Sequence, residues 1–86
     1  MVATRKIVNP LYVGVDVGGT GIKIGVVDSA GVVLDWDRIE THHQRGAEDG
    51  VKRIIEVVNH LFDQNALSWD SIRAVGIGTP GTMDIR

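Results

Sequence analysis

Apolar and polar positions alternate in three short runs, change once to a helical period, and return to a strand-like run. Leu11, Val13, Val15 and Val17 alternate with Tyr12, Gly14 and Asp16, which predicts a half-buried strand over Leu11–Val17. Ile22–Val27 is nearly continuous in apolar character and reads as a second strand covered on both faces. Between Asp28 and Gly31 the chain has turn chemistry, "DSAG". Val32–Thr41 is then a third strand, with Val32, Leu34 and Trp36 on one side and Val33, Asp35 and Asp37 on the other. Connections this short join neighbouring strands in antiparallel fashion, so the three strands are expected to form a meander.

From about Ala47 to Gln64 the period lengthens. Val51, Ile54, Ile55, Val58, Leu61 and Phe62 fall at helical spacing and predict one apolar stripe. Glu48 and Asp49 stand in the first turn, where the helix dipole favours negative charge, and Lys52 with Glu56 makes an i,i+4 pair. A loop, "HHQRGAEDG", precedes this helix. Its adjacent His42 and His43 lack the further ligands a metal ion needs and read as loop residues. The connector "NALSWDS" follows, and Ile72–Gly78 is a fourth strand, parallel to one already in the sheet because a helical crossover leads into it. Trp36 and Trp69 read as packing residues rather than sugar-stacking platforms. The expected architecture is therefore α/β, in the order β-β-β-α-β.

One helix covers only one face of such a sheet, and the other face, rich in Val and Ile, calls for a partner. Two expectations follow: a homodimer or higher oligomer, or the N-terminal part of a longer design. The second fits a sequence that stops on the loop "GTPGTMDIR". Residues 1–10 carry little pattern and form an N-terminal extension; residues 11–86 form the patterned domain. The length of 86 residues suits a single small domain. Such a domain buries only roughly 60–65% of its unfolded surface, so it is marginal by itself.

Composition narrows the class of function. The chain is 43% hydrophobic and 23% charged, with a formal net charge of −2. Its basic residues are scattered, which argues against nucleic acid as a partner. It has no cysteine, hence no disulfide framework and no thiolate metal site. Residues 1–15 lack the pattern of a signal peptide, and no run approaches the ~18 apolar residues of a membrane span. A cytoplasmic globular domain with no membrane partner is expected.

The candidate chemistry lies in "DVGGTG", between the first two strands. A P-loop needs G-x-x-x-x-G-K-[ST], a spacing that does not occur here. The dinucleotide fingerprint must pass from a strand into a helix, whereas the residues after Gly21 alternate as a strand. A plain hairpin turn accounts for the glycines. It does not account for Asp16 at the end of an apolar strand, Thr20 in the turn, or Lys23 on a strand otherwise made of Ile, Val and Gly. These parts suit a polyphosphate. Consecutive glycines let backbone N–H groups face one concavity and let phosphates approach closely, Thr20 adds a hydroxyl, and Asp16 holds Mg²⁺ through water.

The stretch "VGVDVGGTGIKIGVVD" resembles the first phosphate motif of the sugar-kinase, heat-shock-protein-70 and actin superfamily. It is most similar to the D-x-G-G-T-x-x-K-x-G form of the ROK family (repressors, open reading frames, kinases). A second stretch, "AVGIGTPGTMD" (Ala74–Asp84), is similar to the G-[IV]-G-x-P-G-x-x-D segment that follows the fourth strand in ROK sugar kinases. The resemblance covers roughly residues 11–86. It implies the start of an RNase-H-like (actin-like ATPase) domain from an ATP-dependent hexose kinase, a glucokinase by expectation.

The resemblance also implies roles for particular residues. Gly18, Gly19 and Thr20 contact the ATP phosphates, Asp16 lies near Mg²⁺, and Lys23 is either near the phosphates or structural. In the second motif Gly81, with Thr79 and Thr82 beside it, borders the sugar, Pro80 stiffens the loop, and Asp84 reads as a solvated loop carboxylate. The family's catalytic aspartate falls in an Asn-Asp pair past the second motif, beyond Arg86. No catalytic residue is therefore assigned, and no turnover is expected from these 86 residues. Alternatives are a polyphosphate donor in place of ATP, a non-catalytic self-associating fragment, and a sugar-sensing ROK repressor. A repressor places a helix-turn-helix domain before the first motif, and a motif that begins near residue 13 leaves it no room.

Overall fold

A computed structural model describes residues 6–78. Its elements are β1 (Leu11–Val17), β2 (Gly21–Val27), β3 (Val33–Glu40), helix α1 (Gly46–Asn65) and β4 (Ile72–Gly78), with short 3₁₀ turns at His43–Arg45 and Trp69–Ser71. The strands form one sheet in the order β3-β2-β1-β4. β1 pairs antiparallel with β2, and β2 with β3, as the short turns require. β4 arrives through α1 and lies parallel to β1. The expected β-β-β-α-β meander with a parallel fourth strand is the observed fold.

The core lies between the sheet and α1. Leu11, Val13 and Val15 of β1, Ile22, Ile24 and Val26 of β2, and Leu34 of β3 meet Val58, Leu61 and Phe62 of α1, all buried. Each such side chain contributes about 1.5–3 kcal/mol by leaving water. Trp69, 45% exposed, touches this core through Phe62. Its ring meets Phe62 edge-on at 4.9 Å, and its indole N–H donates to Asn59 Oδ1 at 2.9 Å.

Three sequence expectations are corrected here. β2 is fully covered on one face only: Ile22, Ile24 and Val26 are buried under α1, whereas on the other face Gly25 is buried but Lys23 is exposed. The helical stripe also splits. Val58, Leu61 and Phe62 are buried, but Val51 is 54% and Ile55 45% exposed, because α1 lies over β2 and β3 and these two look off its side. Finally, the ion pair on α1 is Arg53–Asp49 at 3.4 Å, and among the described residues Lys52 and Glu56 do not pair. Arg53 is recruited by the chain before the helix, as described below.

A bulge corrects β3 as well. The β2–β3 register shifts between Val26 and Val27, so Trp36 comes opposite Gly25 on the open face while Leu34 stays in the core. Strict alternation puts both on one side. Asp35, opposite Val26, instead reaches α1 and accepts a hydrogen bond from Asn65 Nδ2 at 2.8 Å. At the other edge of the sheet, Val75 and Ile77 of β4 stand opposite the buried Val13 and Val15 yet are exposed, since α1 does not extend over them. Among the described residues no helix is long and apolar enough to cross a membrane.

The β2–β3 turn is organised by Asp28, only 3% exposed. Its Oδ1 accepts the N–H groups of Ala30 and Val32, both at 2.9 Å, and its Oδ2 accepts that of Val8 at 3.3 Å. The Val32 N–H does most to hold the carboxyl below the ordinary carboxylate range; burial works the other way, and the Val8 and Ala30 N–H groups add to the lowering. A carboxylate depressed on folding contributes stability that is present above its unfolded value and is lost as pH falls through the folded one. Asp28→Asn is therefore expected to be clearly less stable than the parent at pH 7, with the difference shrinking as pH drops below about 4. Urea unfolding at pH 7 and pH 3 checks this; an equal deficit at both would assign the loss to packing rather than charge.

Candidate phosphate-binding site

Residues 18–20 form the tip between β1 and β2. The Gly18 N–H donates to the Gly21 carbonyl at 2.8 Å and closes the hairpin. A cavity of about 210 Å³ opens beside this tip, lined by Asp16, Gly18, Thr20, Gly21, Lys23 and Arg38. Strand register explains the grouping. Asp16 pairs with Lys23 across β1–β2, and Lys23 with Arg38 across β2–β3, so the three stand in one row on the face that α1 leaves open.

The carbonyls of the tip are all held by the chain that follows β3. Thr41 Oγ1 donates to the Gly18 carbonyl at 2.9 Å, and the Thr41 N–H donates to that of Thr20 at 3.1 Å. His43 Nε2 lies 2.7 Å from the Gly19 carbonyl oxygen and donates to it. Arg53 secures this strap from α1: its Nη1 donates to the Thr41 carbonyl at 3.1 Å, and its Nη2 to the Glu40 carbonyl.

This arrangement has a direct consequence for the amides. In a planar trans peptide the C=O and the next N–H point in opposite directions. With the Gly18 and Gly19 carbonyls drawn toward Thr41 and His43, the Gly19 and Thr20 N–H groups are directed away from the strap. Among the described residues neither has a partner. Two adjacent N–H groups so presented are available to an acceptor from outside the chain.

The tip glycines differ in what the fold asks of them. A Cβ at Gly18 would come 3.0 Å from the Gly21 carbonyl oxygen, so close backbone packing accounts for that glycine. A Cβ at Gly19 would meet nothing within 4 Å, and Gly19 is not in the left-handed region. Neither packing nor backbone conformation requires glycine at 19. Its surface is bare and open to approach from outside.

Asp16 is the second unexplained feature. Its Oδ1 is buried and has no hydrogen-bond partner among the described residues. A buried unpartnered carboxylate oxygen costs roughly 1–3 kcal/mol of desolvation. An oxygen ligand of this kind suits Mg²⁺ or its water shell, so the residues present fit the ion.

The structure thus brings Asp16, Gly18, Thr20 and Lys23 around one cavity; Gly19, between two of them in the chain, is exposed at the hairpin tip and does not line it. Thr79, Gly81 and Thr82, the sugar-side candidates, lie outside the described residues, as do Pro80 and Asp84. Sequence reasoning missed Arg38, Thr41 and His43. Arg38 enters through strand register and the other two through contacts more than twenty residues apart in sequence, none of which leaves a local signal.

A glycine-tipped hairpin followed by a third antiparallel strand, a crossover helix and a parallel fourth strand is the beginning of an RNase-H-like domain of the actin-like ATPase kind. The chain belongs to the ROK family, whose pattern matches residues 12–86. It is 35% identical over 72 residues to a glucokinase of Thermotoga maritima, covering 84% of this chain and 21% of that protein. It is 32% identical over 74 residues to a glucokinase of Halalkalibacterium halodurans, covering 86% and 22% respectively. Among solved structures it is similar to a ROK glucokinase from Streptomyces griseus in complex with glucose and AMPPNP, with a TM-score of 0.64, 36% identity, and coverage of 86% of this chain and 22% of that one. The chain spans about a fifth of the length of the curated relatives it matches.

Proposed function

We propose that these residues form the phosphate-binding segment of an ATP-dependent hexose kinase, with glucose as the acceptor. The observation that carries this is the strapped tip with its two unpartnered N–H groups, together with the unpartnered Asp16 oxygen on a cavity that Gly18 and Thr20 also line. Similarity to two glucokinases and to a ROK glucokinase bound to glucose and AMPPNP supports the choice of donor and acceptor. ATP as donor supports a cytoplasmic setting.

In the reaction a sugar hydroxyl oxygen bonds to the γ-phosphorus, the bond from that phosphorus to the ADP oxygen breaks, and the hydroxyl proton passes to a base. This segment binds and orients the donor. The Gly19 and Thr20 N–H groups and the Thr20 hydroxyl hold phosphate oxygens, and Lys23 offsets their charge. Asp16 would hold Mg²⁺, directly or through its water shell, and the ion would supply neutralisation of phosphate charge. Catalysis of this type is mostly positioning. The catalytic base is not among the residues assigned to this site, and the role proposed for this segment is donor binding. The exposed Val75 and Ile77 of β4 support a further association, with a second copy or with more of a kinase chain, and native mass spectrometry separates the two.

The test is Gly19→Ala. Alanine fits the backbone and restricts the unfolded chain, so Tm is expected to be unchanged or slightly higher. A methyl group at the phosphate's approach is expected to weaken Mg·ATP binding about tenfold or more, read by calorimetry alongside the amide shifts of Gly19 and Thr20. Lower stability with unaltered binding would make Gly19 a turn residue and remove the reading.

A further inference from the structure

We propose that Arg38 is a phosphate-binding residue of this site, gripping the donor's polyphosphate chain from β3 beside Lys23; the inference rests on the phosphate-binding reading above. Nothing in the local sequence "DWDRIE" suggests it. The register does: Arg38 stands directly across from Lys23, which stands across from Asp16, and all three line the cavity under the tip.

The guanidinium has a built seat. It lies over the backbone of Gly21, in the space a Cβ there would occupy. Glycine at 21 thus lets the planar group lie flat against β2 at the cavity wall. Among the described residues the guanidinium makes no ion pair, while Asp37 Oδ1 accepts only the Arg38 backbone N–H, at 2.8 Å. An arginine held against backbone, without an acidic partner, keeps its fork of donors free for an outside ligand.

Charge specifies the ligand class. Lys23 and Arg38 bring two positive charges to a cavity with one carboxylate, Asp16, and that carboxylate suits a metal ion. Two cations side by side, a pair of free N–H groups and a metal-binding oxygen match a chain of linked phosphates better than a single one. Such a chain occurs in a nucleoside triphosphate and in inorganic polyphosphate alike.

Calorimetric titration of the 86-residue chain with ATP and with inorganic tripolyphosphate, each with Mg²⁺, tests the assignment. Arg38→Ala is expected to weaken both ligands about tenfold, and Arg38→Lys to recover part of the loss. Lys52→Ala, which removes the same charge from α1, is expected to change neither. Gly21→Ala unseats the guanidinium, so it should weaken binding in the parent and add little in the Arg38→Ala background. If the parent binds both ligands and Arg38→Ala matches Lys52→Ala, the Arg38 assignment falls while the phosphate site stands. A loss confined to ATP would place Arg38 on the nucleoside and also overturn it. If the parent binds neither ligand, the phosphate reading fails, and this inference with it.

Discussion

Asp16→Asn is expected to leave the fold intact, to stabilise it by up to ~1 kcal/mol, and to lower magnesium-dependent ATP affinity by about 10–100-fold. The two effects have opposite signs for one reason. Asp16 ends a strand whose other face builds the core, and its Oδ1 is buried without a partner. For folding alone that oxygen is a cost, and a neutral amide of the same shape reduces it. For a hydrated metal ion the same oxygen is an acceptor already stripped of water and fixed in place. ATP titrations with and without Mg²⁺ separate the possibilities. The parent should bind more tightly when Mg²⁺ is present, and the variant should bind equally in both conditions. An equal loss in both would show that Asp16 acts on the fold or the phosphates rather than through a metal.

Leu61→Ala is expected to cost about 2–5 kcal/mol, and Ile55→Ala less than about 1 kcal/mol. Both residues belong to the one apolar stripe that helical periodicity draws, and both are aliphatic. Leu61 is 1% exposed against the sheet, whereas Ile55 looks off the side of α1. Removing the Leu61 side chain leaves a cavity among Val58, Phe62 and the strands, which close packing cannot fill. Small domains have only about 5–15 kcal/mol to lose, so this single change brings the chain close to unfolding. Urea unfolding followed by circular dichroism gives both values on one scale. Comparable losses at the two positions would mean that Ile55 is covered, by another copy or by another segment.

Much of the fold was legible because it follows from local rules. Alternation in Leu11–Val17, the glycine turn, "DSAG" and the helical spacing of Val58, Leu61 and Phe62 each act over a few residues. The parallel placement of β4 follows from the crossover helix. The misplacements share a different cause. Which of Val51, Ile55 and Leu61 is buried depends on where α1 sits over the sheet, and periodicity defines a face but not its cover. Alternation places Trp36 on the side of Leu34, and the bulge at Val26/Val27 that separates them has no sequence mark strong enough to break the pattern.

The sequence by itself determined the element order, the hairpin with its glycine tip, and the presence of Asp16, Thr20 and Lys23 around that tip. It did so because a turn and its flanking strands bring neighbours in sequence together. Tertiary structure alone decided what those residues face. The strap of Thr41 and His43 holds the tip carbonyls and frees two N–H groups, and Arg53 on α1 holds the strap. Arg38 joins Lys23 through pairing between β2 and β3. Contacts separated by some twelve to twenty-four residues depend on the relative placement of strands and helix, and that placement is set by burial of the whole core rather than by any local pattern.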